Sequence, residues 1–376
     1  MKNHHITFLR AVAFIIVISS FCINTGMSKE NSSRDSILVG VEYFNGWWQQ
    51  SPNKWEYKDK DWRSQYPDRI PLLGQYNNQK TMNKEILAAS DYGVGFFSFL
   101  WYYPGNVKAN NNCSKLNAGL DFFMKSPYAN RMKFMVELCN HKPFTIETDQ
   151  DWEKCADVAI NAMKHPSYLR VDNRAVLKIH SGYQFYRDCG ENVPKCKQIL
   201  QMFRQKARDA GVGELLIALG TYREQKIGAA HFFSTIGEVD VTMQYMSSPV
   251  ASELPQTEED YPYEDLLAWA QKIRDIRRND ILNWVPYFPA GWNPRPWRVD
   301  RACYSFPTRE EWKTGLEVLK RELLKTTNFG FPRKDGTTQK AFTIYAWNEF
   351  GEGGILAPTK GDKSMKLEVI KEVFKN

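Results

Sequence analysis

The residues best suited to chemistry lie near the end of the chain, in the run Trp347-Asn348-Glu349-Phe350-Gly351-Glu352-Gly353-Gly354. Two nearby carboxylates are what acid–base cleavage of an acetal needs: one donates a proton to the departing oxygen while the other assists at or beside the carbon. Residues three apart on a strand point to opposite faces, so Glu349 and Glu352 share a pocket only if the chain turns between them. Gly351, Gly353 and Gly354 permit that turn. A Glu-x-x-Glu pair alone more often marks a solvated helix face. Its setting here, after an apolar run, beside Trp347 and among glycines, favours a site, and close, partly buried carboxylates have pKa values driven apart.

Such a turn needs a scaffold, and the chain supplies eight short β-rich runs, most followed by a stretch of helical spacing. They are Ile37–Phe44, Gly95–Tyr102, Lys133–Cys139, Ala175–His180, Leu215–Gly220, Val239–Tyr245, Leu282–Pro286 and Lys340–Trp347. Between and after them, helices are expected over 83–92, 116–125, 150–163, 193–210, 264–278, 308–324 and 366–374. Thr308 with Glu311 three residues on is a capping box, and Trp312, Leu316, Leu319 and Leu323 share one face of its helix. This alternation is the sequence form of a parallel sheet with crossover helices, and eight units make it an α/β fold, a single (β/α)8 TIM barrel. No repeat, low-complexity tract or linker marks a second domain.

In such barrels the site lies at the C-terminal ends of the strands, which selects further candidates. Glu42 and Tyr43 end the first run, although a buried Glu42 paired with Lys or Arg at the barrel floor is an equal reading. Trp101 and Tyr102 end the second and offer a stacking wall. Glu137, Asn140 and His141 follow the third, and one of Lys178 and His180 in the fourth should line the cavity, being polar where apolar packing is expected. Tyr222, Gln244, Tyr245, Tyr287 and Trp292 complete a ring of polar strand exits, joined by Trp347 and Asn348. The excursion through Trp47, Trp48, Trp55 and Trp62 to Pro71 is a candidate substrate loop.

The opening residues read as a secretory signal over 1–26, with Lys2 and Arg10 ahead of an apolar run from Ala11 to Ile23, too short to span a bilayer. Cys22 at its end makes a lipoprotein signal, and so a lipid anchor, an alternative. Residues 27–376 are then the barrel, about 350 residues, ample for a core without staples. The protein is expected outside the cytoplasm, periplasmic or on the cell surface. Of the seven cysteines only Cys189 and Cys196 look like a local disulfide loop, and none matches a zinc motif. A formal charge of +7 spread without basic runs argues against a nucleic-acid partner. The 12 Trp, 18 Tyr and 22 Phe suit a carbohydrate cleft, since sugars stack flat C–H faces on aromatic rings. No metal is expected from ligand spacing, and no Gly-x-Ser-x-Gly elbow or Gly-rich phosphate loop supports cofactor chemistry.

Asn348-Glu349-Phe350-Gly351-Glu352-Gly resembles the Asn-Glu-Trp-x-Glu-Gly signature of the family 99-like glycosidases and their polysaccharide-biosynthesis relatives. Pro71-Leu-Leu-Gly-Gln-Tyr, Asp91-Tyr-Gly-Val-Gly-Phe-Phe, Leu100-Trp-Tyr-Tyr and His165-Pro-Ser-Tyr-Leu-Arg-Val-Asp-Asn-Arg are similar to other family segments in the same order. The resemblance implies an α-mannosidase-like, retaining glycoside hydrolase in which Glu349 deprotonates the sugar's own 2-hydroxyl and Glu352 is the acid/base. Phe350 stands where the family has tryptophan, Gly351 where the mannosidases have histidine, and Ala357-Pro358 where Glu-Pro is commoner. These departures bear on which mannose-type or related glycan is cut. A glycosyltransferase-like assembly protein and a non-catalytic sugar-binding barrel are the competing readings.

Overall fold

The structure, a computed structural model, describes residues 36–105, 112–221, 228–249, 254, 259–297 and 301–375. The leader and the Cys22 reading fall outside them, as does Tyr222. Eight parallel strands form the barrel: β1 Leu38–Tyr43, β2 Phe96–Tyr102, β3 Lys133–Cys139, β4 Arg174–Ile179, β5 Leu215–Thr221, β6 Val241–Gln244, β7 Asn283–Val285 continued by Tyr287–Pro289, and β8 Ala341–Tyr345. They pair in chain order, and β8 returns to β1, with Leu38 opposite Ala341.

The seventh strand closes the ring by serving two neighbours. Its first half pairs with β6 and its second with β8. Pro286 lies between the halves and has no N–H to give a ladder, yet its carbonyl still accepts from Thr343 N at 2.8 Å. The break therefore costs one donor and keeps the sheet continuous.

Helices cover the barrel outside: α1 Gln79–Asp91, α2 Cys113–Met124, α3 Asp149–Met163, α4 Gly182–Asp188, α5 Val193–Asp209, α6 Ala229–Ser234, α7 Tyr263–Arg277, α8 Arg309–Lys325 and α9 Met365–Phe374. Five of their starts follow side-chain caps. Asn78 accepts from Thr81 N and so begins α1 four residues before the apolar spacing starts; Thr148 and Asn192 cap α3 and α5 alike. The capping box at α8 forms, and Trp312, Leu316, Leu319 and Leu323 are fully buried against the barrel. Each leucine so buried contributes about 1.5–3 kcal/mol. The short α4 and α6 have too few turns to show a period, and sequence spacing does not reveal them.

Cys189 and Cys196 stand as free thiols in hydrogen-bond contact, not as the expected disulfide. They lie at the C-cap of α4 and in the first turn of α5, so those helices already hold the segment. Among the described residues no helix is long and apolar enough to cross a membrane.

Candidate active site

Glu349 begins a tight turn. Asn348 and Glu349 pair antiparallel with Ile355 and Gly354, and the Glu349 carbonyl accepts from both Glu352 N (3.1 Å) and Gly353 N (2.9 Å). The glycines are required here. Gly353 has φ +80°, and a Cβ on it would come within 2.8 Å of Asn293 N; a Cβ on Gly351 would meet the Trp297 ring at 2.2 Å. The chain thus leaves the strand between the two glutamates, as the spacing demands, and both line one cavity of about 270 Å³.

The turn is gripped from two sides. The excursion after β1 folds on itself: Trp47, Trp55 and Trp62 are buried, and Phe350 packs against Trp47 (5.1 Å between ring centres), Trp55 (5.3 Å) and Tyr76 (5.2 Å). These tryptophans fill the loop's interior and face each other; they are not a sugar platform. From the other side comes Arg69, which sequence reasoning missed. Its guanidinium donates to Asn293 O (2.8 Å), Asn293 Oδ1 (2.9 Å) and Phe350 O (3.1 Å), while Asn293 N donates to Glu352 O (2.6 Å). Burial pulls Arg69 down to about 10, so it stays charged at neutral pH.

The cavity wall is Phe44, Lys54, Leu100, Tyr102, Leu116, His141, Phe144, His180, Tyr245, Trp297, Glu349 and Glu352. Glu349 is buried and accepts from the Tyr245 hydroxyl at 2.9 Å; Glu352, partly exposed, accepts from Tyr345 Oη. Burial first, then the charge of Glu352, raises Glu349 well above the usual carboxylate range, against the opposing effects of Tyr245 and Lys54. His141 is pushed down to about 4 by burial and by His180, and its Nδ1 faces the Lys142 carbonyl at 2.9 Å, so that nitrogen carries the proton of a neutral ring.

Beneath the wall lies a layer of charge. The register sets Glu42 beside Ser98, and Glu137 beside Lys178 on the next strand. Lys178 Nζ bonds Glu42 (3.0 Å) and Glu137 (2.9 Å), Ser98 donates to Glu137 (2.8 Å), and His180 Nδ1 lies 2.6 Å from Glu137. Burial and the charge of Glu137 push Glu42 well up. For Glu137, burial acts upward, but Lys178 and His180 outweigh it and hold the carboxyl well below the usual range. Of Lys178 and His180, the histidine reaches the cavity.

The predicted ring therefore divides by strand parity. Tyr102, His141, His180 and Tyr245 line the cavity with the glutamate pair, and Trp292 borders a small adjoining recess with Tyr245, Tyr345 and Glu352. Glu42 and Glu137 lie in the floor layer. Tyr43 and Trp101 are not in the wall, because inward positions alternate and Ser98, Leu100 and Tyr102 take them on β2; Trp347, just past the end of β8, is not in the wall either. Tyr43 Oη and Trp347 Nε1 instead donate to Glu85 of α1 at 2.8 and 2.7 Å, and Trp347 packs on Phe97. Glu85 is fully buried and burial raises it to about 7. Asn140 braces the loop after β4 by exchanging hydrogen bonds with Ser181; Asn348 Oδ1 takes the Phe44 amide at 2.9 Å; Tyr287 Oη bonds Ser247 O at 2.9 Å. Gln244 is buried outside the wall, and its amide has no hydrogen-bond partner among the described residues. Among the described residues no group of three or more His, Cys, Asp or Glu is placed to hold a metal ion.

Two solved structures of the family 99 endo-α-mannosidase from Bacteroides thetaiotaomicron superpose on 90% of this chain and 96% of theirs, with TM-scores of 0.54 and 0.55 at 14% and 13% identity. At that identity the likeness is one of fold. Two curated relatives, both called uncharacterized protein WxcX, come from Xanthomonas campestris pv. campestris strains ATCC 33913 and B100. They are 22% and 21% identical over 332 residues, 84% of this chain, which spans about half (45%) of their length. The family model described as glycosyltransferase WbsX matches residues 44–370, from just past β1 into α9, and so includes the glutamate turn, Arg69 and Asn293. The chain belongs to the WbsX glycosyltransferase family, and its barrel is of the family 99 kind.

Proposed function

We propose that this protein is an exported enzyme that breaks a glycosidic bond, with Glu349 and Glu352 as the catalytic pair and hydrolysis as the outcome. One observation carries the reading: two carboxylates on one tight turn line a single cavity, each accepting a hydrogen bond from a tyrosine hydroxyl. The resemblance of the turn to the family 99 signature assigns the roles. Glu349 removes the proton of the 2-hydroxyl, that oxygen closes on the anomeric carbon, and Glu352 gives its proton to the departing oxygen. Glu352 then takes a proton from water as the water opens the strained ring, and Glu349 returns the proton to the 2-hydroxyl. A raised pKa makes Glu349 the stronger base for this step. A mannose-type or related glycan is the substrate class the resemblance supports, and the opening charge pattern of Lys2 and Arg10 supports export.

The family's description favours a second reading, in which a sugar hydroxyl replaces water in the second half of the same reaction. The pair of carboxylates serves either acceptor. Incubating the protein with mannans and related bacterial and yeast glycans in ¹⁸O-labelled water separates the readings. Label at the new reducing ends means hydrolysis; unlabelled, lengthened products mean transfer; no cleavage of any glycan removes both.

A further inference from the structure

The cavity carries one Lys or Arg among its described lining residues, Lys54, and its position is built. Its carbonyl accepts from two indoles, Trp62 Nε1 at 2.9 Å and Trp297 Nε1 at 3.1 Å, and its amide donates to Gly46 O at 3.2 Å. The side chain runs along Trp297, with the ammonium 5.3 Å from the ring centre. Its charge reaches both sides of the cavity, opposing a proton on His141 and favouring ionised Glu349. Yet it forms no ion pair among the described residues, whereas Lys178 below has two carboxylates within 3.0 Å.

A neutral sugar offers this ammonium hydroxyl acceptors but no counter-charge. We propose that Lys54 reads an anionic group, a carboxylate, sulfate ester or phosphate ester, on the sugar ring at the cleaved bond or on its neighbour, so that the substrate is an acidic glycan. The inference rests on the catalytic reading for the orientation of the sugar but not for its binding. Aromatic and imidazole groups make up much of the rest of the wall, Tyr102, Phe144, His141, His180 and Tyr245, and suit sugar faces and neutral hydroxyls. The anion's contact falls to Lys54 as a charge-assisted hydrogen bond.

Dissociation constants and cleavage rates should be measured side by side for the full chain and for Lys54→Met and Lys54→Arg. The probes are matched oligosaccharides: neutral mannan fragments, and the same backbones bearing a uronate, a sulfate or a phosphate. One charged series should bind the wild type on the order of 10- to 100-fold more tightly than its neutral match. That preference should collapse in Lys54→Met and persist in part in Lys54→Arg, and the series that shows it names the anion. Equal affinity for neutral and charged probes overturns the inference. So does a Lys54→Met variant that weakens every probe alike, since Lys54 would then act only on the glutamate pair. A charged-probe preference without any cleavage leaves this inference standing and sinks the catalytic one, while cleavage without preference does the reverse.

Discussion

Two pairs of carboxylates lie close together in this barrel, and their surroundings differ in kind. Glu42 and Glu137 share the ammonium of Lys178, with His180 and Ser98 completing the layer. Glu349 and Glu352, just above, each accept from a tyrosine hydroxyl and line the cavity. Glu137, held ionised by Lys178 and His180, gains nothing by exchanging its proton and serves to hold a floor. A carboxylate held by a neutral donor, with its pKa lifted by burial and a neighbouring charge, can trade a proton with whatever enters the cavity.

Breaking the floor should have the largest effect on stability. Lys178→Met strips Glu137 of its ammonium partner in the interior and leaves it only His180 and Ser98, and the expected loss is about 3–5 kcal/mol, read by urea unfolding. Glu349→Gln sharpens the contrast in the opposite direction. The folded-state pKa of Glu349 is raised, so its contribution is present at low pH and lost as pH rises through that value. Glutamine does not ionise, and the variant should therefore be more stable than wild type at neutral pH and above.

Glu85 offers a cleaner pH test because its value is about 7 against 4.5 for an ordinary glutamate. Its proton is held more tightly by the folded chain, so stability is full below pH 4.5 and falls by about 3 kcal/mol as pH rises to about 7. Glu85→Gln, which mimics the protonated form, should flatten unfolding free energy across that window. An unchanged slope would mean Glu85 ionises freely. The smallest effect expected is at the cavity itself: Tyr245→Phe removes the donor that favours ionised Glu349, moving the acidic limb of kcat/KM to higher pH.

Much of this was legible in the sequence because it is local. The third strand falls on Lys133–Cys139 as its apolar run states, and the capping box at Thr308 forms as written. The glutamate turn was legible too, through the glycines that Trp297 and Asn293 require. Strand parity was not. Tyr43 and Trp101 are the more aromatic choices at their strand ends, but inward and outward positions are set by pairing with neighbouring strands, and they point to the helix layer. Arg69 and Lys54 lie in an excursion without periodicity, and their partners are remote: Arg69 binds the backbone 224 and 281 positions away. The split of β7 was hidden for the same reason, since Pro286 looks like an end until both neighbours of the strand are known.

The central claim is that the cavity pair, not the floor pair, does the chemistry. It is tested most directly by glycan cleavage with the wild type, Glu349→Gln and Glu352→Gln, each first shown to unfold as cooperatively as the parent. Cleavage by the wild type that falls by at least about 10²-fold in both variants is the expected result. Cleavage that survives both substitutions would contradict the account.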